Sequence, residues 1–493
     1  MLPAIWSGQE AFLGNLRELL ASVFKRLGAV PPMGIGIVSV TRDGSPIQMS
    51  QIRSSGTIFD PHEQPQLAEA TESTAKHMAN SAARNISIHG ASLRGFALAK
   101  EVRDALKDCD PRISRRSYVS EAVGLGTSDV VLWLEFDRAK HDRMPSVFMK
   151  SLLGTENVGL LQSAVEVILG RLCDELGKSD LWISGHRWEM KALAEDILRE
   201  AGRHLMRRIR FSLTRSYGSS SLFDELKTLA SIRYEQTEPM GGLVLEPVGS
   251  TAEPLFSSPV DLDDPAAARK MLQMARRPYW GLLRWSAIIG LAKRAPADPA
   301  EFRVQFRGQG RWDLLHGPKR LAQVKFGVPQ VPARRLSRHR FARAFARTFP
   351  SNVTGVEKVW PLVQAAMRQG HGAMLVVAAD AESEAVRLAQ QGTPVQPQCL
   401  SPTAIRRVTS IDGAVLVDPD GLCHAVGVIL DGTAHPRGDR SRGARYNSAR
   451  RYVQRQRARL VVVVSVDGKV DLVAPESRAV RENVQSAPAI RLG

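Results

Sequence analysis

The residues with the clearest chemical potential lie near the carboxy end, in the segment GDRSRGARYNSARRYVQRQR at residues 438–457. Its first half is turn-like, and its second half, from about Ser448, predicts a helix. A glycine-containing loop that leads into a helix directs backbone N–H groups and the positive end of the helix dipole at one point. The spacing therefore predicts an anion site.

Apolar segments on both sides of this loop predict the elements that position it. VEKVWPLVQAAMRQGHG predicts a helix ended by glycine, and GAMLVVAAD, DGAVLVD, CHAVGVILD and RLVVVVSVDG predict strands. The run of four valines favours an interior strand covered on both faces. These elements, residues 351–480, predict a mixed-sheet α/β domain.

The order of these elements and motifs resembles the diadenylate cyclase domain, whose members condense two ATP molecules into cyclic di-AMP. The resemblance covers about a quarter of the chain. In that family a D-G-A motif places a carboxylate near the ribose 3′-hydroxyl, and Asp412, Gly413 and Ala414 match it. The resemblance thus implies a nucleotide-binding domain with ATP as substrate or ligand.

The family's second motif, G-T-R-H-R, holds the triphosphate and supplies a metal-ligating histidine. The corresponding residues are Gly443, Ala444, Arg445, Tyr446 and Asn447. A phenol, with a pKa of about 10, is a poor metal ligand at neutral pH. An asparagine removes a charge that would neutralise phosphate in the transition state. The second motif is therefore degenerate.

A third family feature is a strand that ends in serine, followed by metal-holding glutamates. Ser465, Val466 and Asp467 stand in the matching positions, so the resemblance implies that Asp467 helps to hold Mg²⁺ or Mn²⁺. Positive charge lost from the second motif would be restored by one of several nearby arginines: Arg437, Arg440, Arg442, Arg450 or Arg451.

The resemblance supports two hypotheses. In the enzyme hypothesis, Asp412 acts on the 3′-hydroxyl, Arg445 binds phosphate, and two domains meet face to face as a homodimer. In the sensor hypothesis, the pocket binds a nucleotide without turnover. Both hypotheses place the following residues at the nucleotide: Gly413, Ala414, Gly443, Ala444, Tyr446, Asn447, Ser448 and Ser465. Both require Asp412 and Arg445 to converge on one cavity.

Each of these residues also has a purely structural interpretation. Asp412 before glycine is a common strand-entry turn. Gly443 would be only a turn residue, and Arg445 a surface ion-pair partner. His424 fits a packed or hydrogen-bonded core histidine better than a ligand. Tyr446 and Tyr452 fit packing positions.

A third hypothesis concerns the basic segment from Arg334 to Arg347. Phe341, Phe345 and Phe349 recur every four residues there, which predicts one buried face of a helix with arginines in solvent. A nucleic-acid patch on this helix is the alternative that the pattern favours less. The net charge of +17 attracts phosphate-bearing partners in general.

Composition sets the remaining expectations. The 493 residues, 43% of them hydrophobic, indicate several globular domains. No apolar run reaches the roughly 18 to 20 residues that span a bilayer, and no secretory signal is visible. The four cysteines form no C-x-x-C pair, which favours reduced, buried thiols. We therefore expect a soluble, cytoplasmic protein without membrane partners.

The first 350 residues are less specific. An apolar stripe from Phe12 to Phe24 predicts a helix, and Gly34–Val40 predicts a strand before a polar loop that reaches about residue 75. Gly34 and Gly36 begin like a dinucleotide fingerprint, but no third glycine or acidic partner follows, so the pair is interpreted as turn chemistry.

Further along, helical patterns around a single strand candidate, Asp129–Phe136, continue to about residue 230 and include a long basic helix at Trp188–Leu213. Strand and turn patterns follow, including the hairpin FRVQFRGQGRWDLLHG. The fold class is multidomain α/β, with α+β regions before the carboxy-terminal domain. We expect regions 1–230, 231–350 and 351–480, and a flexible tail at 481–493.

Overall fold

The computed structural model divides the chain into two units, Met1–Pro332 and Ala333–Gly493. The structure describes residues 9–41, 48–53, 99–100, 102–104, 106–107, 114–125, 128–151, 154–177, 190–216, 221–233, 240–246, 256–276, 278–293, 301–332, 336–352, 354–368, 372–432, 443–454, 458–465 and 469–475. The expected tail at 481–493 lies outside these residues. No helix among them is long and apolar enough to cross a membrane.

The first unit begins with the predicted amphipathic helix, whose stripe from Phe12 to Phe24 is buried. Among the described residues, its helices with defined ends are α1 Gln9–Leu27, α2 Arg138–His141, α3 Leu160–Gly177, α4 Met190–Thr214, α5 Leu222–Ser231 and α6 Pro265–Met274. Residues 99–100, 102–104 and 106–107 are also helical. Helix α4 confirms the predicted long basic helix. Arg203 pairs with Asp224 at 2.7 Å, and Arg208 contacts Glu156 and Glu166. These arginines are therefore held by carboxylates of the same unit.

Two of the sheets in the first unit form its apolar framework. One, in the order β2-β1-β5-β3 with β4 on β5, contains β1 Gly34–Thr41, β2 Gln48–Arg53, β3 Arg115–Val119, β4 Val123–Leu125 and β5 Ser128–Asp137. A separate ribbon pairs β6 Ser146–Ser151 with β7 Gly154–Gly159. Between the polar loop and about residue 230, the sequence predicted a single strand, Asp129–Phe136. This prediction was wrong, because β3, β4, β6 and β7 also lie there. Strand β2 also lies within the tract predicted as a loop.

The other sheet has the order β15-β14-β13-β12-β8-β10-β11-β9. Its strands are β8 Met240–Leu245, β9 Val260–Asp261, β10 Tyr279–Arg284, β11 Ala287–Lys293, β12 Phe302–Gly308, β13 Arg311–His316, β14 Lys319–Lys325 and β15 Val328–Gln330. Strands β12 and β13 confirm the predicted hairpin, with Gly308 and Gly310 at positive φ where the chain reverses.

Gly36 lies inside β1, so the interpretation of the Gly34 and Gly36 pair as a turn was wrong. Gly36 faces Trp133 across the β1–β5 ladder, and a Cβ at position 36 would lie 1.9 Å from the Trp133 ring. The ring is buried, and its Nε1 donates to Glu135 at 3.0 Å. Gly36 therefore leaves the space that the indole occupies.

The described residues of the second unit form one six-stranded mixed sheet in the order β17-β19-β18-β16-β20-β21. Its strands are β16 Ala373–Ala378, β17 Thr393–Cys399, β18 Ala414–Val417, β19 Leu422–Val428, β20 Arg459–Val464 and β21 Val470–Val473. Its helices are α7 Arg338–Thr348, α8 Gly355–Met367, α9 Ala381–Arg387, α10 Pro402–Val408 and α11 Ala444–Val453, with a 3₁₀ turn at Ala389–Gln391.

Alternating residues of the central strands bury both faces of this sheet. One face packs against α7, α8 and α10, and the other packs against α9 and α11. Every residue of β20 is buried, as the valine run predicts. The phenylalanine stripe of α7 is also buried as predicted. Of the cysteines in this unit, Cys423 is buried but Cys399 is exposed, so the expectation of buried thiols was wrong for Cys399.

We expect Gly36→Ala to destabilise the first unit by about 2 kcal/mol or more, because its Cβ must displace a buried indole. Gly14→Ala is the matched control. Position 14 lies inside α1 with no heavy atom within 4 Å of a built Cβ, so alanine should stabilise by about 0.5–1 kcal/mol. Chemical denaturation of both variants tests this. Equal stability of the two variants would contradict the packing argument.

Candidate functional site

One edge of the second sheet brings together several predicted site residues. Strands β16 and β18 are parallel, and β20 runs antiparallel to β16 with Ala373 opposite Val464. The starts of β16 and β18 and the end of β20 therefore share an edge. Asp412 and Gly413 precede β18 there, and Ser465 follows β20. Helix α11 packs on β20 and starts near this edge, because Arg445 in its first turn reaches Gly372.

Arg445 and Asp412 are in contact at this edge. The Nη2 of Arg445 donates to Oδ1 of Asp412 at 3.0 Å. The guanidinium also lies over Gly372, where a Cβ would be 2.7 Å from Nη1. The Asp412 side chain is 94% exposed, so the pair contributes little to stability, about 0–1 kcal/mol. A carboxylate and a guanidinium therefore converge in solvent, where a phosphate-bearing ligand can reach both.

Gly413 lets the chain enter β18 at this point. Its φ is +106°, and a Cβ there would lie 2.5 Å from the carbonyl carbon of Gly427. Gly427 also has a positive φ, +65°. Side-chain-bearing residues rarely adopt the Gly413 conformation, and the close backbone leaves no space for one. The glycine of the D-G-A motif is thus a steric requirement for presenting Asp412.

Helix α11 begins at Ala444, four residues before the predicted start at Ser448. Gly443 is its N-cap in an extended conformation, without a side-chain cap hydrogen bond. The first turn of the helix, including Arg445, therefore lies at the edge where Asp412 lies. N–H groups of this first turn are the donors that an anion would use.

Tyr446 and Asn447, which replace the family's histidine and second arginine, make contacts within the domain. Tyr446 packs against the apolar cluster beneath α11. The Nδ2 of Asn447 lies 3.4 Å from the carbonyl oxygen of Gly443. Tyr446 fits the structural interpretation made from the sequence.

The other predicted positions are only partly described. Ser448 Oγ accepts from Nη2 of Arg451 at 3.2 Å, which directs Arg451 along its own helix. Ser465 Oγ donates to the carbonyl oxygen of Lys469 at 3.3 Å. Outside the described residues lie Val466, Asp467, Arg437, Arg440 and Arg442. Within the described ranges, no three His, Cys, Asp or Glu side chains are grouped to hold a metal. The assignment of Asp467 to a metal stays a prediction.

His424 is a structural residue, as predicted. It is buried on β19, and its Nε2 lies 3.1 Å from Oδ2 of Asp418. Asp418 follows β18 at the opposite edge of the sheet. This pair is therefore remote from Asp412.

Sequence reasoning missed a buried polar network beneath α11. Glu384 on α9 accepts from the Tyr452 hydroxyl at 2.7 Å and from Arg387 at 2.7 and 2.8 Å. Arg459, fully buried at the start of β20, contacts Asp380 at 2.8 Å and Glu384 at 3.4 Å. Arg387 also pairs with Asp431 at 2.6 Å. The network connects α9, α11 and β20, so it fixes the helix that carries Arg445.

The network also controls the ionisation of its members. Burial alone would raise the pKa of Glu384, but hydrogen bonds from Arg387 and Tyr452 and the charge of Arg459 lower this pKa below its ordinary value of 4.5. Burial raises the pKa of the Tyr452 phenol, and the hydrogen bond to Glu384 raises it further. Glu384 is therefore ionised and Tyr452 neutral at pH 7.

The fold and the edge site define an α/β domain that presents a carboxylate and a guanidinium together at one edge of its sheet. Residues 363–477 match the family described as DisA bacterial checkpoint controller nucleotide-binding. The carboxy-terminal domain therefore belongs to the diadenylate cyclase domain family, as its motifs predict. Residues 5–206 match the probable sensor domain DACNG, and residues 220–317 match the probable sensor domain DACNH.

Among solved structures, a double cysteine mutant of DacA from Staphylococcus aureus is 19% identical, over 24% of this chain and 81% of that one, with a TM-score of 0.21. A protein from Bacillus cereus described as a hypothetical membrane spanning protein is also 19% identical, over 28% of this chain and 66% of that one, with a TM-score of 0.22. No curated protein matches the chain.

We expect Gly413→Ala to destabilise the second unit by at least about 2 kcal/mol, from left-handed backbone strain and the clash with Gly427. Gly443→Ala is the matched control, since its φ is −67° and a Cβ at 443 meets no atom within 4 Å. Thermal unfolding of both variants checks this. A Gly413→Ala protein as stable as Gly443→Ala would contradict the steric role.

The lowered pKa of Glu384 predicts acid sensitivity. Below pH 4.5 the unfolded glutamate binds a proton that the folded one still excludes, so the free energy of unfolding falls as the pH falls. Denaturation between pH 7 and 3 should show a shallower decline in Glu384→Gln than in the wild type. Since Gln leaves Arg387 and Arg459 less compensated, this variant should also be less stable at pH 7. Parallel curves for the two proteins would rule out the linkage.

Proposed function

We propose that the carboxy-terminal domain binds ATP and condenses two ATP molecules into cyclic di-AMP, with release of two pyrophosphates. The contact between Asp412 and Arg445, 3.0 Å apart at an open sheet edge, carries this proposal. The matched D-G-A carboxylate and the matched motif arginine are close enough for one nucleotide to contact both, which supports the proposal. The family match over residues 363–477 supports the same assignment.

In this proposal the ribose 3′-oxygen of one ATP attacks the α-phosphorus of the other, and the bond to pyrophosphate breaks. Asp412 accepts the hydrogen bond of the 3′-hydroxyl, orients it and takes up its proton as the O–P bond forms, and Arg445 binds the phosphate oxygens as charge develops. ATP must displace the Asp412–Arg445 pair to do so. The pair is weak enough for this, because Asp412 is exposed.

Two further components complete the proposal. Asp467 is the residue that the resemblance implies would hold Mg²⁺ or Mn²⁺, and the metal would neutralise charge on the triphosphate. Since each domain offers one Asp412, joining two nucleotides requires two copies of the domain face to face. A homodimer through the carboxy-terminal domain is therefore part of the proposal.

The second candidate is a nucleotide sensor without turnover. The specific observation in its favour is that Tyr446 packs against the domain core and Asn447 contacts its own helix, so neither supplies the family's metal ligand or second guanidinium. Loss of one such donor commonly costs about 10²-fold in rate. The two amino-terminal matches to probable sensor domains fit a regulatory role in either candidate.

Full-length protein incubated with ATP and Mn²⁺ should yield cyclic di-AMP by mass spectrometry. Asp412→Asn should remove the product, and Arg445→Lys should lower its rate about 10²-fold, because lysine loses bidentate contact. Asp420→Asn is the matched control: Asp420 is an exposed aspartate in an ion pair with Lys358, at the other end of β18, and its variant should keep full activity.

Calorimetric titration with ATP separates the remaining outcomes. If the protein binds ATP, if Arg445→Lys weakens this binding and if no cyclic di-AMP forms, the sensor candidate would replace the cyclase candidate. Neither binding nor product would refute both candidates. Product that persists in Asp412→Asn would refute the assigned role of Asp412.

A further inference from the structure

Helix α7 presents two opposite surfaces. Arg340, Arg343 and Arg347 are spaced at i, i+3 and i+7, so they fall within about 60° of one another around the helix. Phe341 and Phe345 are fully buried on the opposite side. The three arginines are exposed, and among the described residues they form no ion pair. The outward surface of α7 is therefore a stripe of guanidinium groups without an ion-pair partner in the part of the chain that the structure describes.

The sequence around this stripe contains no neutralising carboxylate. The second unit has six arginines, from Arg334 to Arg347, before its first acidic residue, Glu357. Glu357 contacts Arg338, which is not part of the stripe. Elsewhere on the same face of the sheet, Ile405 of α10 packs into the cluster that contains Phe341, and Arg406 and Arg407 are exposed beside it.

The chemistry of the stripe selects its partner. Arg340 and Arg347 are about 10 Å apart along the helix axis, so the stripe can contact several phosphates of one polymer but is too long for a single phosphate. Guanidinium groups bind phosphate oxygens bidentately. The apolar side of α7 is buried in the core, so this helix has no apolar face that could insert into a lipid bilayer. Buried phenylalanines also leave no ring for base stacking.

We propose that the Arg340–Arg343–Arg347 stripe of α7 binds the phosphate backbone of a nucleic acid, without sequence specificity. This function is separate from the nucleotide site, because α7 and α11 pack on opposite faces of the sheet. Three to five phosphate contacts give an affinity whose logarithm falls with the logarithm of salt concentration at a slope of about −3 to −5.

The test measures binding of full-length protein to a labelled DNA duplex of about 20 base pairs and to the same duplex in RNA, by fluorescence anisotropy over a salt series. Arg340→Gln, Arg343→Gln and Arg347→Gln are combined in one variant, since glutamine keeps helix propensity. We expect about 10²-fold weaker binding near 0.15 M salt and a slope shallower by about 3, one unit for each arginine.

The matched control combines Arg17→Gln, Lys25→Gln and Arg143→Gln, three exposed cations of the first unit. It removes the same charge and should bind like the wild type. Circular dichroism and thermal unfolding verify that both variants are folded. An equal loss of duplex affinity in the α7 variant and the control variant would show that net charge alone causes the effect, and this result would overturn the proposal. So would binding to vesicles of phosphatidylcholine and phosphatidylglycerol without binding to either duplex.

Discussion

The buried Arg459 side chain is the interaction on which the geometry of the second unit depends. Strand β20 is apolar and buried on both faces, so the alternation that normally fixes strand register gives it little information. Arg459, the first residue of β20, supplies the interaction that fixes the register of the strand. A shift by one residue would withdraw a fully buried guanidinium from Asp380 and Glu384, which costs several kcal/mol when a charge is left uncompensated.

Fixing β20 also fixes the site at its other end. With Arg459 held opposite Ala378, Val464 must lie opposite Ala373, and Ser465 arrives at the edge with Gly372. The same network holds α11 through the Tyr452 hydroxyl, and α11 carries Arg445 at its first turn. The contact with Asp412 is therefore a consequence of buried charges at the far edge of the sheet. An exposed ion pair could not have positioned these elements by itself.

The sequence predicts those features of the second unit that depend only on apolar runs or only on the motif resemblance. The apolar runs of β16, β18 and β20 predict their burial directly, and the motif resemblance predicts that Asp412 and Arg445 approach each other. Strand β17 was missed because it is an exposed edge strand with two prolines, and α9 and α10 because seven residues show little periodicity. The start of α11 was placed too late because Gly443 carries no capping side chain.

The Glu384 network was not predictable from spacing, because its members come from four segments that only the folded sheet brings together. In the sequence alone, nothing distinguishes Asp380 and Glu384 from ordinary acidic residues of a loop and a helix. The division of the chain into regions 1–230, 231–350 and 351–480 stays a prediction. Strands β6 and β7 of the first unit were also missed. Their sequences, SVFMKS and GTENVG, lack the strong apolar alternation by which a single sequence reveals a strand.

The central sheet separates two positively charged surfaces that sequence alone would merge into one basic domain. The α7 arginines and the α11 amino end lie on opposite faces of the sheet. In the two proposals, each surface would contact its phosphate-bearing ligand on its own face of the sheet. Coupling between the two would have to pass through the sheet, whose register is fixed by Arg459.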